Sequence, residues 1–112
     1  MKVFACQHCK NKVVYLEKAA CNVRCCGEEM VELIPNTSDG ASEKHVPVIT
    51  CEGQTVTVTV GSVAHPMLEA HFIEWIALET RQGMQRKLLK AGDEPVAAYA
   101  YCNLHGFWKK DA

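Results

Sequence analysis

Hydrophobic and polar positions alternate most cleanly at Gln54-Thr55-Val56-Thr57-Val58-Thr59-Val60, where a period of two predicts a half-buried β-strand that Gly61 ends. Residues 72–80 are nearly continuous in apolar side chains, interrupted by Glu74. They predict a strand buried largely on both faces, although residues 69–78 also admit a helical reading. Residues 85–89 and 96–101 predict two further strands, separated by the turn Lys90-Ala91-Gly92-Asp93-Glu94-Pro95. Short strands at this spacing predict a small antiparallel β-sandwich. Upstream, Lys12-Val13-Val14-Tyr15-Leu16-Glu17 and residues 31–34 have strand composition. Pro35-Asn36-Thr37-Ser38-Asp39-Gly40 is a concentrated turn signal between the two regions. The pattern therefore predicts an all-β chain with two domains, 1–35 and 36–112. The first is too small to fold on apolar burial alone, because domains below about 40 residues usually need a metal, disulfides or oligomerisation.

Composition changes this picture at one point. Of 112 residues, 48% are hydrophobic and 22% charged, which suits a globular chain rather than a disordered one. Lys plus Arg number 12 against 13 Asp plus Glu, so no basic surplus marks the chain for nucleic acid or an anionic membrane. No apolar run approaches the roughly 20 residues of a membrane span. Met1-Lys2-Val3-Phe4-Ala5-Cys6 has no apolar core of a secretory signal, so a cytoplasmic location with reduced thiols is expected. Against that background, seven Cys and five His are an excess, and metal binding becomes the first hypothesis.

Sulfur and imidazole are segregated. Cys6, Cys9, Cys21, Cys25 and Cys26 lie in the first 26 residues, whereas His45, His65, His71 and His105 lie beyond residue 44. Cys6-Gln7-His8-Cys9 is a C-x-x-C pair, and Cys25-Cys26 follows it. Four thiolates suit tetrahedral zinc or iron, and ligand count does not choose between them. A redox dithiol at Cys6 and Cys9 and ordinary buried cysteines are the alternatives. Adjacent side chains in an extended chain point to opposite sides, so Cys25 and Cys26 need a tight turn to share an ion, which Gly27 permits. Cys21 is expected to stand apart, and His8 to be a solvated loop residue.

In the second region, His45, His65, His71 and a C-x-x-H at Cys102 and His105 lie near turns or strand ends. Imidazoles plus one thiolate suit iron, copper or zinc; Met67 would be the axial ligand of a blue-copper site, but the surplus of histidines speaks against that. A Cys-His nucleophile pair lacks an orienting partner. Scattered surface histidines are the plain alternative.

Glu43-Lys44-His45-Val46-Pro47-Val48-Ile49, Val60-Gly61-Ser62-Val63-Ala64-His65-Pro66-Met67, His71-Phe72-Ile73-Glu74-Trp75-Ile76 and Tyr101-Cys102-Asn103-Leu104-His105-Gly106 together resemble the desulfoferrodoxins, two-iron superoxide reductases. Cys6, Cys9, Cys25 and Cys26 resemble the desulforedoxin-type centre of that family, so the likeness spans nearly the whole chain.

The resemblance implies two irons per chain: one held by Cys6, Cys9, Cys25 and Cys26, and a catalytic one held by His45, His65, His71 and His105 with Cys102 as axial ligand. It further implies a desulforedoxin-like first domain and an immunoglobulin-like β-sandwich as the second. Superoxide would be reduced by one electron to hydrogen peroxide, protecting an anaerobe or microaerophile from oxidative stress. Glu43 would close the open iron position in the ferric state and Lys44 would lie beside it. The implied partners are an electron donor such as rubredoxin or a reductase, and a second copy in a homodimer. The competing function is a colourless, zinc-stabilised binding module without catalysis.

Overall fold

A computed structural model describes residues 1–15, 17–81, 83–85 and 95–112. It divides into two compact units, Met1–Ile34 and Pro35–Ala112.

The first unit is built from two-residue strands. β1 (Phe4–Ala5) pairs antiparallel with β2 (Lys12–Val13) and with β5 (Val31–Glu32), and β3 (Arg24–Cys25) forms a hairpin with β4 (Glu28–Glu29). Its buried apolar side chains include Val3, Ala5, Cys6 and Met30. Tyr15 packs edge-on against Phe4, and its hydroxyl oxygen accepts the Val23 N–H at 2.7 Å. The strand expected at residues 12–17 stops at Val13, with Leu16 outside the described residues.

The second unit opens with one helical turn, α1 (Ser42–His45), too short for a 3.6-residue period to reveal. β6 (Pro47–Glu52) and β7 (Thr55–Val60) form a hairpin across Gly53, whose φ of +60° suits glycine. In β7 the threonines face solvent and the valines are half-buried, as the period of two predicts. β8 (Ile73–Thr80), β9 (Gly83–Gln85), β10 (Pro95–Cys102) and β11 (Gly106–Asp111) make an antiparallel sheet in the order β11-β10-β8-β9. β6 and β7 lie against β10 and β11, giving the layered, antiparallel all-β arrangement expected. Ala97, Ala98 and Ala100 are fully buried, and Trp108 sits in register with Ala100, a large ring beside a small side chain.

Two expectations need correction. β8 is a strand, not a helix, but it is not buried on both faces: Glu74 and Ile76 are exposed. The hairpin that covers the sheet lies over β10 and β11, leaving β8 partly open. β6 and β11 were not foreseen, because a proline opens one and Lys109-Lys110-Asp111 ends the other. Of the strand expected at 85–89 only Gln85 is described, within β9; residues 86–89 and positions 90–94 of the expected turn lie outside the described residues, and Pro95 already begins β10.

Asn36 fixes the start of this unit. Its φ is +61°, its N–H donates to Phe107 O at 2.9 Å, and its side chain exchanges hydrogen bonds with the Lys109 backbone at 2.7 and 3.0 Å. A side-chain amide thus extends the ladder of β11 where no strand is present.

Candidate metal centres

The first centre forms around two turns. The loop after β1 folds back through hydrogen bonds from Lys10 N to Cys6 O and from Cys6 N to Asn11 O, with Lys10 at φ +66°. It carries Cys6 and Cys9. In the β3–β4 hairpin, Cys25 is in register with Glu28, so Cys26 and Gly27 form the two-residue turn. Both have positive φ, 53° and 79°, as a primed hairpin turn requires. That turn overcomes the divergence of neighbouring side chains: the Cys25 and Cys26 sulfurs lie 3.9 Å apart, and those of Cys9 and Cys25 lie 3.5 Å apart. All four sulfurs lie within 4.8 Å of one another. His8 stands outside, its Nε2 3.0 Å from a Glu28 carboxylate oxygen at the surface, and Cys21 is exposed and apart from the cluster.

The electrostatics of the four thiols call for a cation. The Cys9 backbone N–H, 3.5 Å from the Cys6 sulfur, lowers the Cys6 pKa to about 6. Once Cys6 is a thiolate, its neighbours resist ionising. Cys26 is pushed up to about 12, chiefly by side-chain hydrogen bonds with Cys9 and Cys6, and Cys25 is raised for the same reason. Four sulfurs this close become four thiolates only around a positive ion.

The second centre gathers its residues from four places. His45 ends α1, and His65 lies in the loop between β7 and β8. His71 stands two residues before β8. Cys102 ends β10, and His105 sits in the turn to β11. Their donor atoms lie within 4.8 Å of one another. His45 is 2% and Cys102 0% exposed, whereas His65, His71 and His105 are half-buried, so the cluster has a buried side and a side that reaches toward the surface.

Backbone carbonyls select the tautomers. His45 Nδ1–H donates to Ala41 O at 2.7 Å and His65 Nδ1–H to Pro66 O at 2.6 Å, which leaves each Nε2 lone pair facing inward. The two Nε2 atoms are 3.2 Å apart, and His71 Nε2 is 3.1 Å from His105 Nδ1. The Cys102 sulfur lies 3.3 Å from His65 Nε2 and 3.6 Å from His105 Nδ1. Burial lowers the pKa of His45 and of His65, outweighing the carbonyl contacts, so both present neutral rings. Imidazole nitrogens meeting around one sulfur fit a metal ion, as do the four sulfurs of the first cluster; the two clusters are consistent with two iron centres.

Glycine makes the close approach possible. Gly61 has φ +81°, and a Cβ there would come 2.5 Å from Val63 O and 2.6 Å from Glu43 O. It allows Val63 N–H to reach Glu43 O at 2.9 Å, and so docks α1 with His45 against the loop that bears His65.

Sequence reasoning missed two residues that shape this centre. Trp108 stacks on His45 and donates Nε1–H to His105 O at 2.9 Å. Asn103, inside the C-x-x-H segment, bonds the backbone around His71. An aromatic three residues after a ligand, and an amide between two ligands, were the available signals. Glu43 and Lys44 are exposed on α1, beside His45 in sequence.

The desulfoferrodoxin family model matches residues 37–97, more than half of the chain. A desulfoferrodoxin from Nitratidesulfovibrio vulgaris is 47% identical, covering 99% of this chain and 96% of its own. The chain belongs to the desulfoferrodoxin family. A desulfoferrodoxin homolog from Archaeoglobus fulgidus is 45% identical, over 97% of this chain and 95% of its own. The crystal structure of the superoxide reductase from Treponema pallidum matches with a TM-score of 0.77 and 36% identity, covering 97% of this chain and 98% of that one. This desulfoferrodoxin carries both ligand clusters, and among its described residues no helix is long and apolar enough to cross a membrane.

Proposed function

We propose that the chain is a superoxide reductase: superoxide, one electron and two protons give hydrogen peroxide, with the electron supplied by a redox protein such as rubredoxin or by a reductase. The observation that supports this most is the fully buried Cys102 sulfur among four imidazole nitrogens, in a chain with a second, all-sulfur cluster. His45, His65, His71, His105 and Cys102 would hold the iron, which would supply the one-electron donor for superoxide.

The residues divide the remaining work. His45 and His65 are kept neutral by burial, so they preserve positive charge at the centre, which favours approach of an anion. Cys102 is the one sulfur of this cluster, and a thiolate enriches a bound metal in electron density, as thiolates do for haem. Lys44, exposed next to His45, draws superoxide in, and Glu43 offers a hard carboxylate oxygen suited to the ferric state. Cys6, Cys9, Cys25 and Cys26 would hold a second iron, which would supply a one-electron relay. On this reading, domain 1–35 is the electron-relay unit and 36–112 the catalytic one.

The test is to mix iron-loaded, reduced protein with superoxide and follow the thiolate absorption of the second centre. A second-order oxidation with one hydrogen peroxide formed per centre is expected. A colourless protein with zinc at both clusters, or a reduced centre indifferent to superoxide, would overturn the proposal.

A further inference from the structure

We propose that Asn103 is a positioning residue for the four-histidine, one-cysteine centre, holding the His71 segment at a fixed distance from the turn that carries Cys102 and His105. The ladder between β8 and β10 ends at Cys102 opposite Ile73, past a register shift between Tyr101 and Cys102. Beyond that point the chain turns toward His105, and the main chain adds one further bond toward His71, from Asn103 N–H to Phe72 O.

Asn103 takes over. Its N–H donates to Phe72 O at 3.2 Å, and its Oδ1 accepts the Phe72 N–H at 2.9 Å. Its Nδ2 donates to Ala70 O at 3.0 Å. One residue therefore grips the backbone on both sides of His71. His71 itself exchanges hydrogen bonds with Leu68 at 2.9 and 3.0 Å, so its peptide groups are also fixed. The result is the 3.1 Å approach of His71 Nε2 to His105 Nδ1, two ligands contributed by separate strand ends.

Among side chains of this size, an amide offers both the acceptor and the donor this site uses. Leucine fills a similar volume with neither, and alanine removes the group altogether. Groups that orient metal ligands without touching the metal typically govern affinity by about 10- to 100-fold. The inference concerns metal binding and does not depend on the reaction proposed above.

The experiment uses Asn103→Leu and Asn103→Ala in the full chain, with ferrous iron competed against a chelator. The second centre should bind iron about 10- to 100-fold more weakly. Absorption of the four-cysteine centre, whose ligands lie in the other unit, should stay unchanged as an internal control. The melting temperature should fall more in the iron-loaded than in the metal-free protein, because weaker binding subtracts from ligand stabilisation. Unchanged affinity in either folded variant would overturn the proposal. So would equal losses of melting temperature with and without iron, which would make Asn103 a residue of the fold alone. Should the leucine variant fail to fold, the alanine variant decides.

Discussion

The Trp108 indole lies nearly parallel to the His45 imidazole, with centroids 4.9 Å apart and planes at 20°. The same buried indole donates to the His105 backbone carbonyl at 2.9 Å, so one side chain touches the ring of one candidate ligand and the main chain of another. Trp108→Phe keeps the stack and loses the hydrogen bond, which should cost about 1 kcal/mol. Trp108→Leu also loses the stack and leaves a larger cavity, and should cost about 3 kcal/mol with weaker iron retention. Urea unfolding of the metal-free protein reads both values. Equal stability of the two variants would show that the stack contributes nothing.

Gly61→Ala should separate the two centres. A Cβ there would meet Val63 O at 2.5 Å and Lys44 Cα at 2.8 Å, with φ held at +81°. Backbone must shift, and the shift falls on the helix that ends in His45. Iron analysis should find the second centre depleted and the four-cysteine spectrum intact. Two full irons per chain would mean that α1 can move without disturbing His45.

Much of this was legible because the chemistry is encoded in short spacings. C-x-x-C, the Cys-Cys-Gly turn and C-x-x-H name their donors directly, and the Thr-Val alternation names β7. The weaker parts were those fixed by tertiary packing. α1 is a single turn without periodicity, and β6 begins at a proline. β8 has an apolar sequence, yet its exposure depends on which strands the β6–β7 hairpin covers. Asn103 and Trp108 each hold a backbone carbonyl beside the site, and sequence does not show which carbonyl a side chain will meet.

Metal binding at the first centre should depend steeply on pH. With Cys6 drawn down to about 6 but Cys25 raised and Cys26 near 12, metal uptake at neutral pH must expel at least the two protons of Cys25 and Cys26. Affinity should therefore rise by at least about 100-fold per pH unit near neutrality, and fall more steeply still below pH 6 as Cys6 takes up a proton. Chelator competition across that range measures the slope. A flat profile would contradict the thiol assignment.

The second unit should have the acid sensitivity of buried neutral imidazoles. His45 and His65 have lowered pKa values through burial, so the unfolded chain binds protons more readily than the folded one. Their contribution to stability is complete above the unfolded value of about 6.5 and is lost as pH falls through the lower folded values. The melting temperature of metal-free protein should decline below about pH 6.5. Constancy down to pH 5 would show that these rings accept protons without cost.

Lys44 should act before the electron moves. It is exposed, so its effect is long-range and screened by salt. Lys44→Ala should slow the second-order reaction with superoxide by up to about tenfold at low salt and flatten its dependence on ionic strength. Glu43→Ala should instead alter the ferric spectrum while leaving that rate nearly intact. Rapid mixing at several salt concentrations distinguishes the two, and an unchanged rate and salt slope would remove Lys44 from the mechanism.

The most direct test of the account is the stoichiometry of turnover with a limiting electron donor. A reductase should consume one superoxide and form one hydrogen peroxide per electron supplied, release no oxygen, and stop when the donor is spent. Replacing the buried sulfur by Cys102→Ser should abolish most of that turnover. Sustained loss of superoxide without a donor, with oxygen evolved, would instead identify a dismutase and contradict the account.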